Sequence, residues 1–135
     1  HSIDAISNFQ SSLDDRLILF SGSAQEVSTS IFVSEEVLTG SSPTPNVGGA
    51  NYFFLRLTQN TTIQNPSNIP VGLQVLTFVV QQDGTGNRTL NWGNNYSWGA
   101  AGAPTMPVEA NDTLIVSFLQ RGGTCYLIGS ISHTS

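Results

Sequence analysis

Few side chains in this 135-residue sequence are of types that carry chemistry, and their spacing does not bring them together. The two histidines, His1 and His133, sit at the ends of the chain, where side chains are seldom held in a fixed geometry. A Ser-His-Asp arrangement would have to borrow His133, and no Gly-x-Ser-x-Gly elbow presents a serine to it. Four of the nine carboxylates form adjacent pairs, Asp14/Asp15 and Glu35/Glu36. On a strand, neighbours point to opposite faces and cannot flank one bond. Asp83-Gly84-Thr85-Gly86-Asn87 offers oxygen ligands but lacks the alternating carboxylates of a calcium loop, so it reads as turn chemistry. Cys125 is the sole cysteine. It allows neither an intramolecular disulfide nor a zinc site of several thiolates, and its apolar surroundings predict a small strand residue facing the interior. No glycine-rich loop leads into a helix that could hold a phosphate. The expectation is a protein without catalysis, metal or cofactor.

Binding chemistry is better represented. Trp92, Tyr96 and Trp98 fall within seven residues and enclose Asn94 and Asn95 in a polar Gly/Asn stretch. A sugar ring stacks its apolar face on an indole while amides bond its hydroxyls, so these five residues are the candidate ligand site. The competing reading makes Trp92 the end of a core-facing strand and Trp98 a plug at the end of a sheet.

The elements that would position them are almost entirely β. A short apolar and aromatic run covers 52–58, and β-branched residues dominate 73–82. Asp83-Gly84-Thr85-Gly86 then resembles a tight turn, and Arg88-Thr89-Leu90-Asn91-Trp92 alternates as a returning strand, so 73–92 is predicted to be a hairpin. A Gly/Asn/Pro-rich loop runs from Gly93 to Pro107. A second hairpin is predicted over 112–131, turning at Arg121-Gly122-Gly123, with Leu114, Val116 and Phe118 on one face and Ile115 and Leu119 on the other. Two apolar faces call for cover on both sides, from the same chain or from another subunit. A short helix over 11–16 and a strand over 28–33 are expected in the less regular first 50 residues. The whole reads as one β domain over 1–135, with 51–135 as its main module, folded as an antiparallel β-sandwich or jelly-roll-like domain.

Composition removes several partners. The chain has four arginines, no lysine and nine acids, for a net charge of −5. Arg16, Arg56, Arg88 and Arg121 stand alone, whereas nucleic acids and acidic lipid surfaces need clustered cations. No apolar run approaches a membrane span, and His1-Ser2-Ile3-Asp4, with neither a basic nor an apolar region, gives no expectation of a signal peptide. Ser, Thr, Asn and Gln fill 49 positions, so hydroxyls and amides supply solubility where charge usually does. The four Asn-x-Ser/Thr triplets, at Asn60, Asn87, Asn95 and Asn111, are expected by chance in such a composition.

Residues 61–131 carry a resemblance. The series Thr62-Ile63-Gln64-Asn65-Pro66, Gly72 to Phe78, Gln82-Asp83-Gly84-Thr85-Gly86-Asn87-Arg88-Thr89-Leu90-Asn91-Trp92-Gly93, Ala103-Pro104-Thr105, Asn111, Ser117-Phe118 and Gly122-Gly123-Thr124-Cys125-Tyr126 resembles a module of bacteriophage tail fibres, tail spikes and related virion structural proteins. Two positions depart from it: Gln120-Arg121 replaces an acidic lead into the last turn, and Cys125 stands where an aromatic is common. The resemblance implies a non-enzymatic component of the virion surface, a homotrimer in contact with other virion proteins, that recognises a host surface glycan or protein as a receptor-binding or tip domain. The alternatives are a purely structural capsid decoration or head-fibre protein and a stand-alone carbohydrate-binding module.

Overall fold

The computed structural model describes residues 34–134, which belong to one compact unit, Val33–Ser135. The helix expected over 11–16 and the strand expected over 28–33 lie outside the described residues. Among the described residues the strands are β1 (Glu35–Leu38), β2 (Tyr52–Leu57), β3 (Thr61–Ile63), β4 (Leu73–Gln82), β5 (Leu90–Trp92), β6 (Tyr96–Ser97), β7 (Thr113–Arg121) and β8 (Thr124–His133). A 3-10 turn, Gly99–Ala101, follows β6. Six strands form one sheet in the order β1-β2-β4-β7-β8-β6, and β3 pairs with β5 in a separate two-stranded sheet.

Period-two alternation sets the core. On β4 the buried residues are Leu76, Phe78, Val80 and Gln82; on β7 they are Leu114, Val116, Phe118 and Gln120. Phe53, Leu55 and Leu57 continue this inner face on β2. The rings of Phe53 and Phe78 stack at 4.8 Å, and Phe118 meets Phe78 edge-on at 5.7 Å. Each such fully buried ring contributes up to about 3 kcal/mol of burial. The β3–β5 sheet covers this face, with Ile63 fully buried and the Trp92 ring 5.2 Å from Phe78.

Two polar side chains enter the inner face and both are satisfied. The Gln82 amide donates to the carbonyls of Arg88 (2.9 Å) and Pro107 (3.0 Å) and accepts from the Arg88 N–H (3.0 Å). Gln120 accepts from the Gly123 N–H (2.7 Å) and donates to Gln74 Oε1 (3.0 Å). Without these bonds each buried amide would be costly.

The all-β class holds, but the expected antiparallel sandwich or jelly roll is not what the strands build. β1–β2, β2–β4, β3–β5 and β6–β8 are parallel, and β4–β7 and β7–β8 are antiparallel. The parallel pairs are joined by crossovers such as 39–51 and 58–72, which a tight turn cannot replace. The hairpin expected over 73–92 does not form, because β5 leaves β4 and pairs with β3. The second predicted hairpin is present as β7–β8, turning through Gly122 (φ 63°) and Gly123 (φ 93°), with a bulge between Ser117 and Phe118. The unit also takes in β1 and the 39–51 crossover, which the sequence reading assigned to a less regular leading portion.

Candidate functional site

β5 and β6 place the five sequence-derived candidates at the β6 edge of the large sheet. Trp92, Tyr96 and Trp98 come together as expected: the Trp92 ring lies 5.0 Å from Tyr96 and 5.3 Å from Trp98. They are not equivalent. Trp92 also sits 5.6 Å from Phe118, and Trp98 sits 5.4 Å from the same ring, so both indoles rest on the core and keep one part of the ring accessible. Tyr96 is buried, and its hydroxyl donates to the Gln64 carbonyl at 2.8 Å. Burial pushes its phenol well above the usual range. Tyr96 is therefore a support on which the neighbouring rings stand.

Asn94 and Asn95 are exposed beside these rings. The Asn94 side chain and the Asn95 backbone are held by Asn65, a residue outside the five candidates. Asn65 Nδ2 donates to Asn94 Oδ1 at 2.8 Å, and Asn65 Oδ1 accepts from the Asn95 N–H at 2.8 Å. The Asn95 carbonyl in turn accepts from the Cys125 N–H at 2.9 Å. Gly93 lies so close to Asn65 that an added Cβ would collide with its side-chain oxygen and its backbone nitrogen. The signal for Asn65 was present in the sequence: Asn65-Pro66, Trp92-Gly93 and Thr124-Cys125-Tyr126 are separate parts of one resemblance, and they meet in space here. What remains free for a ligand is the Asn94 amide nitrogen, the Asn95 amide and the accessible part of the Trp98 ring, bordered by the exposed Gly99–Ala101 turn.

The other groups singled out for chemistry are dispersed. Cys125 is fully buried in β8, as expected of an interior strand residue, and burial pushes its thiol up to about 12. His133 is exposed at the end of β8. Asp14 and Asp15 lie outside the described residues. Glu35 and Glu36 point to opposite faces of β1, and Glu36 accepts from the Asn46 N–H at 2.9 Å. An open cavity of about 230 Å³ lined by Glu35, Glu36, Asn46, Gly49 and Ala50 lies at this β1 edge, across the sheet from the aromatic rim. Among the described residues no three His, Cys, Asp or Glu side chains gather to hold a metal, and no helix is long and apolar enough to cross a membrane.

Asp83 is a turn residue in the structure too. It accepts from the N–H groups of Thr85 and Gly86 and pairs with Arg88, each at 3.0 Å. All its side-chain bonding is local, which is the Asx-turn pattern.

These segments coincide with a known family. The family described as "Putative phage tail fibre C-terminal domain" matches residues 43–124, more than half of the chain. The chain belongs to this tail fibre family. No curated protein and no solved structure matches it. The match to the tail fibre C-terminal domain runs from the crossover before β2 to the first residue of β8, so it includes the whole aromatic rim and its Asn65 clamp. Membership makes the chain a structural component of a phage virion, associated with other virion proteins.

Proposed function

We propose that this tail fibre domain is a non-enzymatic, host-contacting part of the fibre, displayed on the virion surface as a homotrimer, and that its rim at Asn94, Asn95 and Trp98 grips a host surface glycan. The observation that carries the reading is the pairing of exposed amides with a half-buried indole at one sheet edge. The Asn65 clamp and the Trp92–Tyr96–Phe118 packing hold this rim in place before any ligand arrives. A rigid site loses less entropy on binding than a mobile loop. Exposed aromatic and amide groups also suit a weak contact that many fibre copies strengthen together.

The test is binding of the purified domain to a glycan array, together with its competition against phage adsorption. Asn95→Ala removes a side chain with no structural bond among the described residues and should leave the fold intact while weakening glycan binding by roughly tenfold. Trp98→Ala should abolish it. A domain that blocks adsorption but binds no glycan would replace the glycan with a protein receptor. A domain that does neither overturns host contact altogether.

A further inference from the structure

Of the three arginines among the described residues, two are tied into the fold. Arg56 donates to Gln81 Oε1 (3.0 Å) and Asn111 Oδ1 (3.4 Å), and Arg88 pairs with Asp83 at 3.0 Å. Arg121 is different. It is exposed at the end of β7, and its side chain bonds no other group among the described residues.

The described acids lie far from it. Glu109 and Asp112 precede β7, and Asp83 follows the matching end of β4. Arg121 closes the nine-residue β7 at its other end, about 27 Å away. Glu35 and Glu36 are on β1, three strands across the sheet, and the row of Glu35 meets β7 at Ser117. That places them roughly 20 Å from Arg121. In physiological salt a charge is screened over about 8 Å. Among the described residues, then, the field at this corner is positive although the chain carries −5.

The neighbours of Arg121 are groups that suit a sugar. On the outer face of the sheet, strand pairing puts Leu73, Arg121 and Thr124 in one row and Val75, Leu119, Tyr126 and Ser97 in the next. Tyr126 is 50% exposed and stands diagonally across from Arg121, within reach of a long side chain. On the far side of β8, Asn95 comes beside this row, since its carbonyl accepts from the Cys125 N–H. The Asn95 amide and the hydroxyls of Ser97 and Thr124 bond nothing among the described residues. The backbones of β6 and β7 are two strand spacings apart, about 10 Å. One sugar ring fills that width together with the side chains that reach toward it.

We infer that the glycan held at this edge is acidic, and that Arg121 takes its carboxylate or phosphate group. Tyr126 carries the ring, while Asn95, Ser97 and Thr124 serve its hydroxyls. The planar guanidinium fork meets either anion with two parallel bonds. Asn95 belongs to both clusters, so the corner continues the Asn94–Asn95–Trp98 rim around the β6 edge.

The inference rests on the host-glycan reading above and adds the charge of the sugar and the residue that selects it. The experiment is an array of bacterial surface oligosaccharides, each neutral core printed with and without a uronate or phosphate group. It is probed with the full chain as wild type, Arg121→Gln, Arg121→Lys and Tyr126→Ala. Wild type should bind the acidic forms at least about tenfold more tightly than the neutral cores. That preference should shrink between about 50 mM and about 500 mM NaCl. Arg121→Gln should lose it and still bind the neutral cores, with an unchanged unfolding midpoint. Arg121→Lys should keep part of it, and Tyr126→Ala should weaken both forms. Whether the uronate or the phosphate form leads identifies the anion. If wild type binds acidic and neutral forms alike, or Arg121→Gln keeps the preference or weakens all forms equally, selection by Arg121 is wrong while the host-glycan reading stands. If no form binds, that reading fails and this one with it.

Discussion

Single side chains show how much of this domain is held by local polar bonds instead of charge pairs across the fold. Asp83 is the sharpest case: the bond from Arg88, then the Gly86 and Thr85 N–H groups, hold its carboxyl at about 2, below the ordinary 3.8. A carboxylate with a lowered folded pKa adds stability that is complete above its unfolded value and is lost as pH falls toward the folded one. The contribution of Asp83 should therefore be whole at pH 5 and above, shrink as pH drops below about 4, and approach zero near about 2. Urea midpoints of wild type and Asp83→Asn, taken at several pH values, check this. The gap between the two should close across that window, and a gap that is constant from pH 6 to pH 2 would refute it. The role of Asp83 as a turn residue was legible because Asp-Gly-x-Gly has a local meaning. The roles of Trp92 and Tyr96 were only half legible. Their types suggest either stacking on a ligand or packing in a core, and the choice depends on Phe78 and Phe118, which are close in space and remote in sequence.

At the level of elements, the β-branched content of 73–82 named β4 correctly, and the two apolar sets of residues 114–119 with the Arg-Gly-Gly turn after them named β7–β8. The same reasoning failed at 83–92. Gln82 reaches forward to Arg88 from inside the core, and the Asn87 N–H donates to the Val108 carbonyl at 2.7 Å, so the turn sends the chain to the other sheet. A tight-turn signature says that the chain bends; it does not say what the next strand pairs with. Short parallel strands hid for a related reason. Tyr96–Ser97 falls in the stretch read as loop, and Thr61–Ile63 and Glu35–Leu38 are too brief to show a period. The turn now distinguishes its two glycines. Gly86 has φ +77°, and a Cβ there would stand 2.7 Å from the Val108 carbonyl oxygen and 2.9 Å from the Ala110 nitrogen; Gly84 has nothing within 4 Å. Gly86→Val should cost at least about 2 kcal/mol, and Gly84→Val less than about 0.5 kcal/mol. Equal shifts in the unfolding midpoint of the two variants would show that the close approach to the 108–110 backbone does not constrain the turn.

For the molecule as a whole, sequence distance between partners is the governing quantity. β7 and β8 meet through a turn, but Tyr52 pairs with Thr77, Leu73 with Arg121 and Tyr96 with Cys125. Parallel pairing makes this unavoidable for the first and the last, since each crossover must be closed before its contacts form, and the antiparallel β4–β7 pair is separated by the long 83–112 connection. The arrangement also fits a resemblance that extends over so much of the chain: Asn65, Trp92-Gly93 and Cys125 are three distant segments that meet in one clamp. Such a topology should fold slowly for its size. Loop closure comes before the reward of non-local pairing, which places refolding in the range of milliseconds to seconds and not microseconds. The β7–β8 hairpin, as the local element, is the natural first structure, with β4 docking on it and β2 and β1 following. Stopped-flow tryptophan fluorescence reads this directly, because Trp92 and Trp98 report the closing of the clamp onto Phe118. The expected trace has a concentration-independent phase in that range as the clamp forms. A second phase that quickens with protein concentration should follow as the proposed homotrimer assembles. Refolding complete within tens of microseconds would mean that the distant pairings are not the barrier, and that local structure in the strands already holds most of the fold.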